Sequence, residues 1–350
     1  MEDSGTGGYQ FAITGYAGFG GEILRLRNAN RSVAQTAAYL NWRYADSPGA
    51  PEPKIIWARD AAGRSRGMAA LIFRPFWLNG ELQHVAVLGD ISLDSELRGK
   101  GLGRCLLKFM TDYLDQSHPE RLAMVIPNDA AERSLTRIGW ATGGRLVPYV
   151  FVLNPEAKLP GSLKGSQLAV GVARAVSKAM AKLQRWHLRP GYSLSVVDTL
   201  DDSFDAFWKR YPKAKLVLSD RGIETLSWRY MNHPQNKFSF AKLEHDGRFV
   251  GYLVYERSDT TPMCLVYDFI LSDHSDLPCL LALFVKHCVD QGGIDTIRLL
   301  LGGEHPYRKQ LWKLGFIPRE DAGVFQLHGP KSRARLTEAK WFLTYGDKDI

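Results

Sequence analysis

The sequence predicts an α+β protein of two tandem domains, each a mixed, mostly antiparallel sheet flanked by helices. Three observations predict it. The chain repeats itself in order along its length, each repeat reads as a strand meander followed by alternating helices and strands, and 350 residues exceed one ordinary core and suit two.

The duplication is carried by four matched segments. Leu40-Asn41-Trp42-Arg43-Tyr44-Ala45-Asp46-Ser47-Pro48 reads like Leu226-Ser227-Trp228-Arg229-Tyr230-Met231-Asn232-His233-Pro234, with the tryptophans 186 positions apart. Upstream, Tyr9-Gln10-Phe11-Ala12-Ile13 echoes Tyr192-Ser193-Leu194-Ser195-Val196. Downstream, Val87-Leu88-Gly89-Asp90-Ile91 echoes Val266-Tyr267-Asp268-Phe269-Ile270, and Thr136-Arg137-Ile138-Gly139-Trp140 echoes Trp312-Lys313-Leu314-Gly315-Phe316. The spacing drifts by a few residues, as loop insertions cause. Recurrence at one fold position favours packing for the two Trp-Arg-Tyr segments, with contact to an acceptor as the alternative.

The elements follow in order. After an opening strand and a helical stretch, the first half shows strands over 54–59, 67–76 and 82–93, with a turn at Gly63 and the hairpin signal Asn79-Gly80. A helix over 101–117, a strand over 122–126 and a helix over 129–138 complete it. The second half repeats this with strands over 238–243, 249–256 and 263–271, a helix over 277–291, a strand over 296–301 and a helix over 306–314. The domain reading is a loose tail over 1–8, a first domain over 9–155, a basic helical connector over 156–190 and a second domain over 191–350.

Composition narrows the function classes. The apolar fraction of 45% and charged fraction of 23% are those of a globular protein. The start lacks a signal peptide's basic and apolar regions, and no apolar run reaches the roughly 20 residues that span a bilayer, so a cytoplasmic protein is expected. Cys105, Cys264, Cys279 and Cys288 form neither a CxxC pair nor a disulfide ladder. The histidines fall in no metal-binding spacing and no GxSxG elbow is present, so neither a metal nor a serine-hydrolase role is expected.

The net charge of +8 is concentrated. Lys158, Lys164, Arg174, Lys178, Lys182, Arg185 and Arg189 follow one another with no acidic residue between. Over 172–189, apolar Val172, Val176, Met180 and Leu183 recur at helical spacing, with the cations mostly opposite. Such a helix can rest on an anionic membrane. The favoured expectation is that it packs its apolar stripe on its own domains and solvates its charges. No nucleic-acid partner is expected, and the oligomeric state is left open.

The chemistry centres on Arg98-Gly99-Lys100-Gly101-Leu102-Gly103, which follows a strand and opens a helix. The first amides of a helix lack partners within it and its dipole is positive there, so glycines at this junction let a pyrophosphate approach a row of N–H groups. A Walker loop would need glycine where Asp94 stands and Ser or Thr where Gly101 stands. A dinucleotide fingerprint would need glycine at Leu106.

Arg-x-x-Gly-x-Gly after a strand, preceded by Ile91-Ser92-Leu93-Asp94-Ser95-Glu96-Leu97, resembles the acyl-CoA signature of the GNAT superfamily of N-acetyltransferases. Asn128-Asp129-Ala130-Ala131 through Ile138-Gly139-Trp140 resembles that family's second CoA-contacting element. The resemblance covers both halves, in tandem. It implies acetyl-CoA or a related acyl-CoA as cosubstrate, with no metal. The amides from Gly99 to Gly103, with Arg98, Lys100 and Arg104, would hold the pyrophosphate. The backbone of Ile91, Ser92 and Leu93 would pair with the pantetheine arm, and Asn128 would lie beside it.

The resemblance also implies an acid near the fourth strand that draws the amine proton, for which Asp90 is the candidate; its rival role is a carboxylate paired with a nearby cation, shared with Asp268. Asp94 and Glu96 are expected to set the loop's turn. The family's thiolate-protonating tyrosine is replaced by Leu135, with Leu311 in the second half, which leaves Ser134 or solvent. The second half reads Leu271-Ser272-Asp273-His274-Ser275-Asp276-Leu277-Pro278 where its loop should be. Two aspartates and no glycine suit no pyrophosphate, so the second domain is expected to keep the fold without CoA and to shape the acceptor site. The Trp-Arg-Tyr segments and the tail Trp341-Phe342-Leu343-Thr344-Tyr345-Gly346-Asp347 resemble tandem members linked to bacterial surface polysaccharide synthesis, which implies an amino-sugar acceptor. The leading reading is an N-acyltransferase acting on a small amine. The alternatives are an acyl-CoA-binding regulatory module without turnover and a transferase taking aminoacyl groups from tRNA.

Overall fold

In this computed structural model residues 8–164, 166–320, 322–329 and 340–348 are described, and for 163, 164, 174, 176–181 and 183 only the main chain is. The expected tail over 1–8 thus lies, except for Gly8, outside the described residues.

The first half opens with β1 (Gln10–Thr14), α1 (Gly20–Asn28) and α2 (Ala37–Tyr44). Thr36 caps α2, accepting from the Tyr39 amide at 3.2 Å. The meander is β2 (Lys54–Arg59), β3 (Ser65–Leu78) and β4 (Glu81–Leu93), all antiparallel. Asn79 and Gly80 turn β3 into β4 with φ of 54° and 94°, the left-handed pair that the tightest hairpins need. Then come α3 (Leu102–Ser117), β5 (Ala123–Val125), α4 (Asp129–Arg137) and the long β6 (Ala141–Val152). The connector carries the short α5 (Gly161–Lys164) and α6 (Gln167–Trp186).

The second half repeats the order with β7 (Tyr192–Val197), α7 (Asp202–Arg210), β8 (Leu216–Ser219) and α8 (Ile223–Leu226), which runs into a wide helical turn over Ser227–Met231. There follow β9 (Ser239–His245), β10 (Arg248–Arg257), β11 (Met263–Leu271), α9 (Leu277–Gln291), β12 (Thr296–Gly302), α10 (Arg308–Leu311), β13 (Ile317–Pro318), β14 (Val324–His328) and β15 (Lys340–Phe342). The meander strands and the main helices stand where the sequence puts them. Strands β6, β8 and β13 to β15 were not foreseen.

Those strands join the halves into one sheet, ordered β1-β2-β3-β4-β5-β14-β6-β12-β11-β10-β9-β7. The exchange at its centre is reciprocal. Strand β14 of the second half inserts between β5 and β6, pairing Gln326 with Val125 on one side and Val324 with Arg145 on the other. The later part of β6, in turn, pairs along the whole of β12, from Leu146 with Gly302 to Val152 with Thr296, and carries β13 on its other edge. Each half therefore supplies a strand to the other, which removes the open edges that β5 and β12 would present. The expected boundary at 155 divides the chain but not the sheet, because β6 serves both halves. Gly143 and Gly144 make room for the donated strand: a Cβ there would fall 2.3 and 2.7 Å from the Phe325 ring.

A second join lies at the two Trp-Arg-Tyr segments. The Trp42 and Trp228 rings stack with centroids 5.3 Å apart and 19° between planes. Arg74, buried in β3, lies 4.6 Å from the Trp228 ring centroid and donates to the Arg43 carbonyl at 2.7 Å. Burial lowers the pKa of this guanidinium well below its ordinary value. His233 packs edge-on to Trp42 at 4.3 Å. Trp42, Arg43 and Tyr44 are all buried, as are Trp228, Arg229 and Tyr230, in keeping with a packing role.

Helix α6 departs from the expected packing. Val172 is 57% exposed, and Leu168 and Trp186 are 79% and 77% exposed on the same side. The inward side instead carries Ala173 and Gln184, whose amide donates to the Leu314 carbonyl at 2.8 Å. Lys182 and Arg185 are exposed, and the side chains of Arg174, Val176, Lys178, Met180 and Leu183 lie outside the described residues. Among the described residues no helix is long and apolar enough to cross a membrane.

Candidate functional site

The site begins where β4 leaves β5. These strands run parallel and pair only at Ala86 with Ala123 and Val87 with Met124. Beyond Val87 they diverge. The cause is a bulge in β4: its register against β3 slips between Met68 and Ala70, and Asp90 adopts φ of 58°. Past the bulge the Asp94 amide bonds to the Arg66 carbonyl at 2.9 Å. Alternation along the strand then turns the Leu93 amide to the opposite edge, into the opening toward β5.

The glycine loop closes one end of this opening. Gly99 and Gly101 have φ of 75° and 89°, and Gly101 is the N-cap of α3 with no side-chain cap. No atom would obstruct a Cβ at either position, so the backbone conformation is what favours glycine there. Gly103 serves packing instead, since a Cβ would sit 3.3 Å from Leu93 Cδ1. Among the described residues, the amides of Gly99, Gly101, Leu102 and Gly103 meet no protein acceptor. Among the described residues Lys100 and Arg104, exposed beside them, have no ion pair, and Arg98 is held to the turn just after α1 by a hydrogen bond to Asn30. Asp94 and Glu96 fix the turn: Asp94 accepts from Arg66 at 2.7 Å and from Arg25 at 3.1 Å, and Glu96 meets Arg66.

The other side of the opening is α4. Asn128 is its N-cap, its carbonyl oxygen accepting from the Ala131 amide at 2.9 Å. Among the described residues the Asn128 amide nitrogen has no hydrogen-bond partner. Ser134 spends its hydroxyl proton on the Ala130 carbonyl at 3.0 Å, and Leu135 is fully buried.

Asp90 is brought next to Ile91, Ser92 and Leu93 as expected, but its surroundings are at odds with a base. Its carboxylate, 2% exposed, meets Arg27, lies 2.6 Å from Arg43 Nε and accepts from the Tyr44 hydroxyl at 2.5 Å. Burial alone would raise this carboxyl. The charges of Arg43 and Arg27 and the Tyr44 hydrogen bond outweigh it and hold the group well below the usual carboxylate range. A carboxylate so stabilised has little affinity for an amine proton. These contacts are those of the rival role, a carboxylate paired with nearby cations. Asp268 is enclosed alike, with both oxygens accepting from Arg221 at 2.8 and 3.0 Å.

The second half shows what a closed version looks like. Gly251 faces Leu271 as Gly67 faces Leu93, and the Ser272 amide bonds to the Val250 carbonyl at 2.9 Å as Asp94 bonds to Arg66. By this register Leu271 matches Leu93, and its amide donates at 3.0 Å to the hydroxyl of Tyr307. Tyr307 stands where the first half has Ala131, counting back from Gly315 and Gly139. It is fully buried and packs with His305, Phe269 and Phe342. At the start of α9, the buried Asp276 accepts from Tyr192 at 2.5 Å and Asp273 accepts from the Ser275 amide. Sequence reasoning found the lost loop; it missed the tyrosine plug, which the shift from Ala131 to Tyr307 signalled.

One seam pocket of about 410 Å³ lies between Pro75, Leu82 and His84 of the first half and Lys209, Gly222 and Glu224 of the second. Its lining residue nearest to Asp90 along β4, His84, is six strand residues away, roughly 20 Å at 3.4 Å per residue, and so outside the opening.

The family described as acetyltransferase (GNAT) matches residues 24–140, from α1 through the end of α4. This part of the chain is a GNAT domain. Solved structures share the fold over both halves. A probable N-acyltransferase from Enterococcus faecalis V583 is 10% identical, with 91% of this chain and 72% of that one aligned at a TM-score of 0.63. A GCN5-related N-acetyltransferase from Anabaena variabilis ATCC 29413 is 13% identical, with coverage of 91% and 72% and a TM-score of 0.60. A tandem GNAT protein from the clavulanic acid biosynthesis pathway is 15% identical over 92% of this chain and 99% of that one, at a TM-score of 0.55. At these identities the likeness is one of fold, and it makes the architecture here two tandem GNAT-like domains. No curated protein matches the chain. Within the GNAT domain, the open slot, the glycine loop and Asn128 lie together. Asp90 sits behind them.

Proposed function

We propose that this protein is an acyl-CoA-dependent N-acyltransferase that binds one acyl-CoA per chain, in the GNAT domain, and acylates a small amine. The observation that carries this reading is the contrast between the halves. One slot is open with unpartnered amides along it, and its copy is filled by a tyrosine. Acetyl-CoA is the cosubstrate we favour on family grounds, and an amino sugar the acceptor, in a cytoplasmic setting.

In this reading the amides of Gly99 to Gly103 and the dipole of α3 hold the pyrophosphate, with Lys100 and Arg104 adding charge. The Leu93 amide receives a carbonyl of the pantetheine arm as an added strand would, and Asn128 flanks it. The thioester supplies the acyl carbon: the amine nitrogen forms the new C–N bond as the C–S bond breaks, and the thiolate takes up a proton. Asp90 orients β4 through its arginines and takes no part in proton transfer. With Leu135 in the core and Ser134 bonded to its own helix, solvent receives the amine proton and returns one to the thiolate. The protein's contribution is then positioning and charge.

Calorimetry tests the binding claim, with one CoA per chain expected; two per chain, or none, would overturn it. Thiol release from acetyl-CoA over a panel of small amines tests turnover. The enclosed Asp90 and buried Leu135 favour one other reading, an acyl-CoA-binding module, which binding without thiol release on any acceptor would support.

A further inference from the structure

The second half also opens a place that the first half fills. In the first half Arg25, Arg66 and Asp94 lock together: Asp94 takes Arg66 at 2.7 Å and Arg25 at 3.1 Å, and Arg66 also reaches Asp60 at 3.3 Å. The sheet register equates Arg66 with Val250 and Asp94 with Ser272, because the same amide-to-carbonyl bond recurs at 2.9 Å. In the helices, the buried triplet Ile23, Leu26, Arg27 of α1 recurs as Phe204, Phe207, Trp208 of α7, which equates Arg25 with Ala206. All three network residues are thus short or uncharged in the second half. A pocket of about 670 Å³ stands there, lined by Ala206, Val250 and Ser272 among others.

The replacement does more than remove charge. Arg210 stands where the first half has Ala29, and Lys242 where it has Trp57, the latter because Trp57 pairs with Ala12 and Met68 as Lys242 pairs with Ser195 and Tyr252. With Arg248 they make three cations among the lining residues, against one lining carboxylate, Glu244, which takes Lys242 at 3.1 Å; Asp201, outside the lining, also feels the charge of Lys242. Among the described residues Arg210 and Arg248 have no ion pair. The apolar part of the wall is aromatic, with buried Phe207 and half-buried Phe249 at 4.9 Å between ring centroids, and Lys242 lies 5.0 Å over Phe249. This is not the emptied acyl slot, which Tyr307 plugs elsewhere in the same half.

We propose that this pocket is a binding site for a small organic anion, a carboxylate or phosphate attached to a flat apolar group. The guanidiniums of Arg210 and Arg248 suit either anion through paired N–H donors. The phenyl rings offer a face on which a planar group stacks, and the pocket's volume falls within the range of small-molecule sites.

Fluorine NMR on the full chain tests this with 4-fluorophenyl phosphate, 4-fluorobenzoate and neutral 4-fluorophenol as probes. At least one anionic probe is expected to bind saturably at one per chain, and the tighter of the two names the anion. Binding should persist under saturating CoA, fall about tenfold in the exposed double variant Arg210→Glu/Arg248→Glu, and vanish in Ala206→Trp, which fills the pocket. Thermal unfolding of both variants confirms that they remain folded. No saturable binding of either anion, displacement by CoA, equal binding of the phenol, or indifference to the folded double variant would each overturn the proposal.

Discussion

Trp42 and Trp228 hold each other reciprocally: each indole N–H donates at 2.7 Å to the main-chain carbonyl of the other. Two residues matched by the duplication thus meet at its centre, and both indole N–H groups are satisfied within the pair. Because both indoles are buried, replacing Trp42 with alanine loses the stack and orphans the Trp228 carbonyl. We expect a loss of about 3–5 kcal/mol, read from denaturant midpoints. The Trp42→Ala/Trp228→Ala double variant should lose less than the sum of the singles, since one contact serves both. Full additivity would show that the stack is incidental.

The glycine loop gives a sharper binding prediction. Gly101→Val puts a β-branched residue at φ of 89°, which costs about 1–2 kcal/mol and crowds the amides. CoA binding by calorimetry should weaken about tenfold or more, with far-ultraviolet circular dichroism unchanged. Unaltered affinity would remove the loop from the site.

Copying the second half's plug into the first should close the slot. Ala131→Tyr places a phenol opposite the Leu93 amide, as Tyr307 stands opposite Leu271. The expected result is a folded protein that no longer binds CoA. A variant that binds CoA as well as the wild type would mean that the arm runs elsewhere.

Asp90 ties stability to acid. Its folded pKa lies below that of the unfolded chain, so its contribution is complete above about pH 4 and is lost as pH falls below that. Asp90→Asn leaves Arg27 and Arg43 buried without their counter-charge and should cost about 3–5 kcal/mol at neutral pH. The variant's melting temperature should also change less between pH 4 and pH 2 than the wild type's. If Asp90→Asn melts like the wild type, the arginine cage is not structural.

His233 acts in a higher window. Burial beside Trp42 lowers its pKa from 6.5 to about 4. A group depressed in the fold stabilises fully above its unfolded value and loses that contribution as pH falls from 6.5 toward 4. The thermal midpoint should drop across that window, and His233→Phe should flatten the drop. An equal slope in the variant would assign it to other groups.

The parts legible in the sequence are those set by local chemistry. Asn79-Gly80 announced its hairpin, the alternation over 263–271 gave β11 to the residue, and the glycines of the loop announced a helix start that needs backbone rather than side chains. What escaped depends on partners far along the chain. Val324–His328 is a short apolar run whose place between β5 and β6 is set by Gly143 and Gly144, about 180 residues back in sequence. A cation beside Asp90 was one of two readings of the sequence, but which cations was hidden because Arg27 and Arg43, on two separate helices, reach it only in the folded chain. The tyrosine plug was written in the alignment of Ala131 with Tyr307, but its meaning required knowing that both face the divergence of two strands.

The crossed strands β6 and β14 also bear on how such a protein is made and kept. The ribosome must deliver Val324–His328 before the strand at Ala123–Val125 acquires its lasting neighbour, so the nascent first half waits, unfinished, for the second. A gene encoding the first half alone would yield a chain with an exposed seam. The copy whose opening Tyr307 fills is therefore not free to be shed, and its pocket is free to diverge only as long as its last strand still fits its sibling.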